Sequence, residues 1–204
     1  MKKMFALLIA LMLLPVSGLA VDAVSSATVS ITEVPEATAH ENAKTLILWF
    51  STNDTVKAVA LTAADAMEAD SFEIIPEQPY TEADLAYYTD GRCDKEQADA
   101  SARPAIVSLP ENLEQYDVIF IGYPIWHGQA PKILYTLLEN IDLSGKTIVP
   151  FCTSMSSGAG SSADNLAKLT GDTAVWKNAS RIDNNSTAEQ VCEWALSALD
   201  EATK

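Results

Sequence analysis

The chain has 204 residues, of which 48% are hydrophobic and 20% charged. This composition predicts one globular domain with a sizeable core and argues against an intrinsically disordered chain, which would be poorer in apolar residues. The formal net charge of −15 argues against nucleic acid or anionic lipid as a partner, because such a surface repels both.

The first twenty residues predict an export signal rather than part of the fold. Residues 2–3 are basic, residues 5–14 form an apolar run, and Gly18 and Ala20 are the small residues of a cleavage site. This pattern is typical of a secretory signal peptide that is cut after Ala20. We therefore expect a periplasmic or extracellular protein, with an uncleaved N-terminal anchor as the alternative. The apolar run is too short for a stable membrane span.

Residues 21–43 are rich in Ala, Ser, Thr, Val and Glu and show no sustained helical stripe, so they predict a linker. A domain is then expected over residues 44–204. The chain has three cysteines, and an odd number excludes complete intramolecular pairing; one disulfide in an oxidising compartment stays open. Cys152 closes an apolar run, which indicates a buried small hydrophobic residue.

From Thr45 onward the pattern alternates between strands and helices. Apolar runs predict strands at 45–50, 71–75, 116–122, 146–152 and 174–176. Helical spacing of apolar residues, with suitable flanking residues, predicts helices at 56–67, 94–101, 130–140, 163–169 and 187–202. Pro150 is expected to mark a bulge or a strand end. Such alternation predicts an α/β fold in which helices cover both faces of a parallel sheet.

In a sheet of this kind, ligands bind in the loops at the carboxyl ends of the strands. The loop after the first strand, residues 51–55, places hydroxyls and backbone N–H groups at a helix start, where they can hold a phosphate or act only as a helix cap. The loop after the third strand contains Trp126 and His127, which suit a flat aromatic ligand. The alternative is a Trp that caps the core beside a solvated His. The fourth loop, residues 153–162, is rich in Ser and Gly and allows close backbone approach, although such compositions also form plain linkers.

Several segments together resemble one family. They are Leu48–Ser51 with Lys57–Ala60, Phe72–Pro76, Arg103-Pro104, Ile121–Gly128 with Ala130-Pro131, and Pro150–Ser154 with Ser157–Ser161. Over roughly residues 45–200 the chain resembles the short-chain flavodoxin-like family of bacterial flavoproteins. The resemblance implies a three-layer sandwich with a five-stranded parallel sheet of order 2-1-3-4-5. It also implies FMN held without a covalent bond.

The resemblance further implies three groups of FMN-binding residues. The phosphate would lie against Ser51, Thr52, Asn53, Thr55 and Val56; the isoalloxazine would be flanked by Pro124, Ile125, Trp126, His127 and Gly128; and Thr153, Ser154, Ser157 and Gly158 would close its other side. The chain departs from the family pattern in the first group, where Asp54 replaces a glycine and Val56 replaces a hydroxyl residue. Asp54 would repel a phosphate if it pointed inward, and Lys57 could offset that charge.

These observations favour an exported FMN-binding protein that transfers electrons to an unidentified partner or acts as a small flavin-dependent oxidoreductase. An NAD(P)H-dependent quinone or FMN reductase is a further hypothesis, although no G-x-G-x-x-G follows a strand. A third is a flavodoxin-like domain with weakened FMN binding that acts as a ligand- or partner-binding module. The sequence offers no dyad or triad for acid–base catalysis. It disfavours a serine hydrolase, because no G-x-S-x-G follows a strand.

Overall fold

A computed structural model describes residues 43–171 and 173–204 of the chain. The predicted signal peptide and, apart from Ala43, the predicted linker lie outside the described residues. Within those two ranges, no helix is both long and apolar enough to cross a membrane.

The described residues form one sheet and six α-helices. The strands are β1 (Thr45–Trp49), β2 (Asp70–Glu73), β3 (Val118–Pro124), β4 (Thr147–Ser154), β5 (Val175–Trp176) and β6 (Ser180–Asp183). The helices are α1 (Asp54–Met67), α2 (Glu82–Leu85), α3 (Arg92–Ala98), α4 (Lys132–Glu139), α5 (Ser162–Ala167) and α6 (Ala188–Ala202). Helix α2 was not expected from the sequence, and it is held by a capping box between Thr81 and Asp84.

The sheet is parallel throughout and has the order β2-β1-β3-β4-β5, which confirms the predicted topology. The fifth position is divided in two, however. Strand β5 pairs with the start of β4 at Thr147 and Ile148, and β6 pairs with β4 from Phe151 to Ser154. The sequence analysis predicted β5 and missed β6.

Pro150 lies inside β4, opposite Ile121 of β3, so the expectation of a bulge or strand end there was wrong. The carbonyl of Ile148 accepts a hydrogen bond from the Lys177 N–H on the β5 side, whereas the carbonyl of Thr153 accepts from Ile125 on the β3 side. Because backbone groups alternate in direction along a strand, Pro150 faces the side of β5 and β6. It lies opposite the gap between them, where its missing N–H costs no ladder bond.

Helices cover the sheet on both faces, as predicted. Leu46 and Leu48 of β1 join the core cluster that includes the buried residues of α4, whereas Ile47 and Trp49 join the cluster that α1 and α6 cover. This alternation is what a strand buried on both faces requires. All three cysteines are free; Cys93 and Cys152 are buried, as expected for Cys152, and Cys192 is partly exposed.

Candidate functional site

The loops that follow β1, β3 and β4 meet at one cleft of about 360 Å³. A volume of this size lies within the usual range of small-molecule sites. The structure brings together most of the predicted site residues at this cleft, namely Thr52, Asn53, Thr55, Pro124, Ile125, Trp126, Thr153, Ser154 and Ser157.

The remaining predicted residues, Ser51, Val56, His127, Gly128 and Gly158, do not line the cleft. The Ser51 hydroxyl donates to the Asn53 carbonyl and so stabilises the loop from within. The Val56 side chain is fully buried between α1 and the sheet. Its position in the helical stripe with Val59 and Ala60 turns it towards the core, so only its backbone can face a ligand.

Residues 52–55 form the polar end of the cleft at the start of α1. Asn53 is the N-cap, and its side-chain oxygen accepts from the Thr55 N–H at 3.0 Å. N–H groups in the first turn of a helix have no intrahelical partner, so this end can bind an anion. Asp54 is exposed and lines a separate groove with Asp183 and Ser186. Asp54 does not line the cleft.

Trp126 forms part of the floor of the cleft, with only 5% of its surface exposed. Its ring packs edge-on against Phe50 and Tyr80, with centroids 5.5 and 5.1 Å apart. The expected ring-stacking face of Trp126 is thus largely covered by the core. The exposed aromatic rings beside the cleft are Tyr87 and Tyr88, which are 46% and 89% exposed.

Tyr87 lines the cleft and is joined to the loop after β3. Its hydroxyl donates to the Ile125 carbonyl at 3.3 Å, and burial raises the pKa of its phenol. Tyr87 was not predicted from the sequence, nor were Leu85, Met155, Ser156 and Asn184, which also line the cleft. Two adjacent tyrosines in an otherwise polar, Pro-containing segment were the signal that could have identified this one.

Arg181 of β6, which was also not predicted from the sequence, holds the loop after β4. Its guanidinium donates to the Ser154 hydroxyl and to the Ser154 carbonyl, each at 3.1 Å, and reaches the Met155 carbonyl at 3.4 Å. Asp183 lies 3.4 Å from the same group. One side chain therefore fixes the backbone on one side of the cleft.

A His–Asp pair lies behind Tyr87. His127 Nε2 is 2.8 Å from Asp94 Oδ1, and both side chains are largely covered. Burial alone would raise the pKa of Asp94. Hydrogen bonds from the backbones of residues 88–90 and from His127 together have the larger effect, so the pKa of Asp94 lies below its usual value. Within residues 43–171 and 173–204, no group of His, Cys, Asp and Glu side chains is arranged to hold a metal ion.

Comparison with known proteins places these features in a family. A sequence model of the family described as Flavodoxin matches residues 44–198. A protein named as a flavoprotein from Bacteroides eggerthii is 39% identical over 80% of this chain and 99% of its own, with a TM-score of 0.71. A second, from Bacteroides uniformis, is 34% identical over 76% and 98%, with a TM-score of 0.70.

A more distant structure shares the fold alone. It is a flavoprotein from Lactobacillus acidophilus in complex with FMN, 20% identical over 80% of this chain and 100% of its own, with a TM-score of 0.57. Comparison with proteins of curated function gives no match.

Proposed function

Because this chain belongs to the flavodoxin family, we propose that it binds FMN in the cleft at the carboxyl ends of its strands and acts as an electron carrier. The observation that carries the proposal is the convergence of three loops on one cleft that is polar at the α1 end and aromatic at Tyr87. When bound, FMN supplies the redox chemistry that protein side chains lack.

The polar end of the cleft fits a phosphate. Thr52 and Thr55 line it, and the first turn of α1 offers backbone N–H groups. Asp54, which the sequence analysis identified as a source of repulsion, lies in the neighbouring groove. The phosphate group would therefore be bound by hydroxyls and amides, without a lysine or arginine in direct contact.

The other end fits a flat ring. Tyr87 offers a half-exposed aromatic side chain, and the loop after β4 offers a backbone that Arg181 holds in place. The Ile125 N–H donates to the Thr153 carbonyl at 3.0 Å and so links the two loops that flank the ring position. A ligand ring would thus meet walls that are already ordered, which lowers the entropic cost of binding.

A second candidate is a flavodoxin-like module that binds FMN weakly and recognises another ligand or a protein. Two observations favour it: the Asn53 side chain already occupies the Thr55 N–H, and Val56 offers no hydroxyl. A bound phosphate would have to compete with the Asn53 cap, and this competition lowers the affinity for FMN.

Titration of the purified protein with FMN, followed by flavin fluorescence, tests both candidates. We expect saturable binding, weaker binding of riboflavin, and about tenfold loss of FMN affinity in Thr55→Ala, because hydrogen bonds to charged groups contribute about 1.5–3 kcal/mol. Thr62→Ala is the control, since Thr62 lies on α1 outside the cleft. Absence of binding at high micromolar FMN would contradict the electron-carrier proposal and favour the module.

We also propose that the domain acts outside the cytoplasm. The support is the basic, apolar and small-residue pattern of residues 1–20. Cell fractionation of the full chain and of a chain lacking residues 2–20 tests this. The full chain should be recovered outside the cytoplasm and the truncated chain inside it; equal distribution of the two would contradict export.

A further inference from the structure

An aromatic cluster lies at the mouth of the cleft. The Tyr87 and His127 ring centroids are 4.6 Å apart, and Tyr88 meets His127 edge-on at 5.5 Å. Tyr87 lines the cleft, whereas His127 does not. His127 therefore supports Tyr87 from the side that a ligand in the cleft would not occupy.

His127 is in close contact with Asp94 as well as being largely buried. Asp94 Oδ1 lies 2.8 Å from His127 Nε2, and Oδ2 accepts from the backbone N–H groups of Thr89 at 2.8 Å and Asp90 at 3.0 Å. One carboxylate thus ties the loop after β3 to the loop that carries Tyr87. The His127 and Asp94 side chains are 22% and 15% exposed, so water reaches only a small part of each.

The backbone of this cluster is unusual for its residue types. Tyr88, Asp90 and His127 all have positive φ angles, of 61°, 60° and 47°. Side chains larger than glycine adopt this region rarely and at a cost in free energy, which the surrounding contacts must offset. The Asp94 contacts and the Tyr88–His127 ring contact each join the two strained segments, and together they hold the cluster in its observed conformation.

We infer that the Asp94–His127 pair positions Tyr87 and thereby sets the affinity of the cleft for a flat aromatic ring, an inference that rests on the proposed binding of FMN. The Tyr87 hydroxyl has two other anchors, its 3.3 Å hydrogen bond to the Ile125 carbonyl and a hydrogen bond from the His127 backbone. Without the His127 side chain, these contacts still hold the hydroxyl, but the Tyr87 ring loses its packing partner on the side away from the cleft. His127 is thus a positioning residue that acts through Tyr87.

A double-mutant cycle on His127 and Tyr87 tests this with FMN as the ligand. We expect His127→Leu to weaken FMN binding about tenfold, because coupled neighbours typically share 0.5–3 kcal/mol. His127→Gln retains a donor that can reach Asp94 and should recover most of the affinity. In a Tyr87→Leu background, His127→Leu should cause no additional loss.

The control for these variants is Lys95→Gln. Lys95 lies on α3, next to Asp94, and its exposed ammonium group contacts the Asp90 carboxylate at 3.2 Å. Lys95→Gln should leave FMN affinity unchanged. Equal losses in His127→Leu and His127→Gln, or additive losses in the double variant, would overturn the inference.

A measurement on the ligand-free protein separates this inference from the proposed function. Tyrosine nitration mapped by mass spectrometry should increase at Tyr87 in His127→Leu and stay at the wild-type level in His127→Gln, and amide exchange at Thr89 and Asp90 should follow the same order. If wild-type protein binds no FMN, the proposed function fails, and these two readouts still decide whether His127 positions Tyr87. Unchanged nitration and exchange in His127→Leu would refute the positioning role.

Discussion

At the scale of single residues, Gly122 shows how closely the centre of the sheet is packed. A Cβ atom added to Gly122 would lie 2.2 Å from the Cζ of Phe151, whose ring is fully buried. We expect Gly122→Ala to lower the free energy of unfolding by about 1–3 kcal/mol or more, the usual cost of overpacking a core. Urea denaturation of the ligand-free protein measures this directly.

Two further variants make that prediction specific. Gly158→Ala is the matched control, because no atom lies within 4 Å of an added Cβ there and the stability should change little. Gly122→Ala should lower the stability of the Phe151→Leu variant by less than it lowers that of the wild type, because the smaller Leu side chain relieves the clash. Independent, additive effects of the two substitutions would show that Phe151 is not the cause.

The placement of the predicted site residues follows from the sequence only in part, and the reasons are physical. Loop positions at strand ends follow from the chain order, and Thr52, Pro124 and Ser154 do lie at one cleft. Side-chain direction is set by packing. Val56 belongs to the apolar stripe of α1 and turns inward, and Trp126 is covered by Phe50 and Tyr80, which come from distant segments.

Among the strands and helices, the fifth position of the sheet was predicted only in part, because β6 was not expected from the sequence. Strand β6 has the sequence Ser-Arg-Ile-Asp, with one apolar residue, and its partner β4 lies about thirty residues earlier along the chain. The local sequence pattern therefore does not predict strand β6. Helix α6, by contrast, begins within one residue of its predicted start, where Thr187 and Gln190 form a reciprocal capping box.

The missed strand contributes Arg181, which joins β6 to the loop over residues 153–157. Replacing the guanidinium in Arg181→Gln removes hydrogen bonds to Ser154 and Met155. We expect faster amide exchange in this loop and a threefold to tenfold loss of FMN affinity, corresponding to about 1 kcal/mol in total. Exchange and titration measured on the same preparation check both parts.

The controls for Arg181 use chemistry that the chain provides elsewhere. Arg181→Lys keeps the charge but loses the planar fork, so it should give an intermediate effect. Arg103→Gln removes a guanidinium that lies away from the cleft, where Arg103 Nε is 2.7 Å from Glu139 Oε2. This substitution should not alter the loop over residues 153–157. If Arg103→Gln and Arg181→Gln have the same effect on loop exchange, a general loss of stability explains the result instead.

For the molecule as a whole, the net charge of −15 comes partly from carboxylates that accept hydrogen bonds from nearby residues. Hydrogen bonds from nearby residues lower the pKa of Asp84, Asp99 and Asp142, chiefly from Thr81, Ser101 and Ser144 respectively. The folded chain therefore holds these charges to lower pH than the unfolded chain does. Their contribution to stability is present at neutral pH and is lost as acid protonates them.

At alkaline pH, the stability of the protein depends on buried groups that keep their protons in the folded chain. Burial raises the pKa of Cys152 from 9.0 to about 11 and that of Cys93 to about 12. Burial, with a hydrogen bond to Asp70, raises the pKa of Tyr116 from 10.0 to about 12. The unfolded chain loses these protons at the lower, ordinary values, so stability is fully present below about pH 9 and falls as pH rises towards 12.

Urea denaturation between pH 8 and pH 11, with a reductant present, measures this fall, and Cys152→Ala assigns part of it. That variant is less stable at pH 8 because it leaves a small cavity in β4, but its stability should decline less steeply between pH 9 and pH 11. Ile148→Val is the control, because it also truncates a fully buried side chain of β4 and removes no titratable group. If Cys152→Ala and Ile148→Val lose stability with the same slope as the wild type, the Cys152 thiol has the same pKa in the folded and unfolded chains and its burial does not set the alkaline limit.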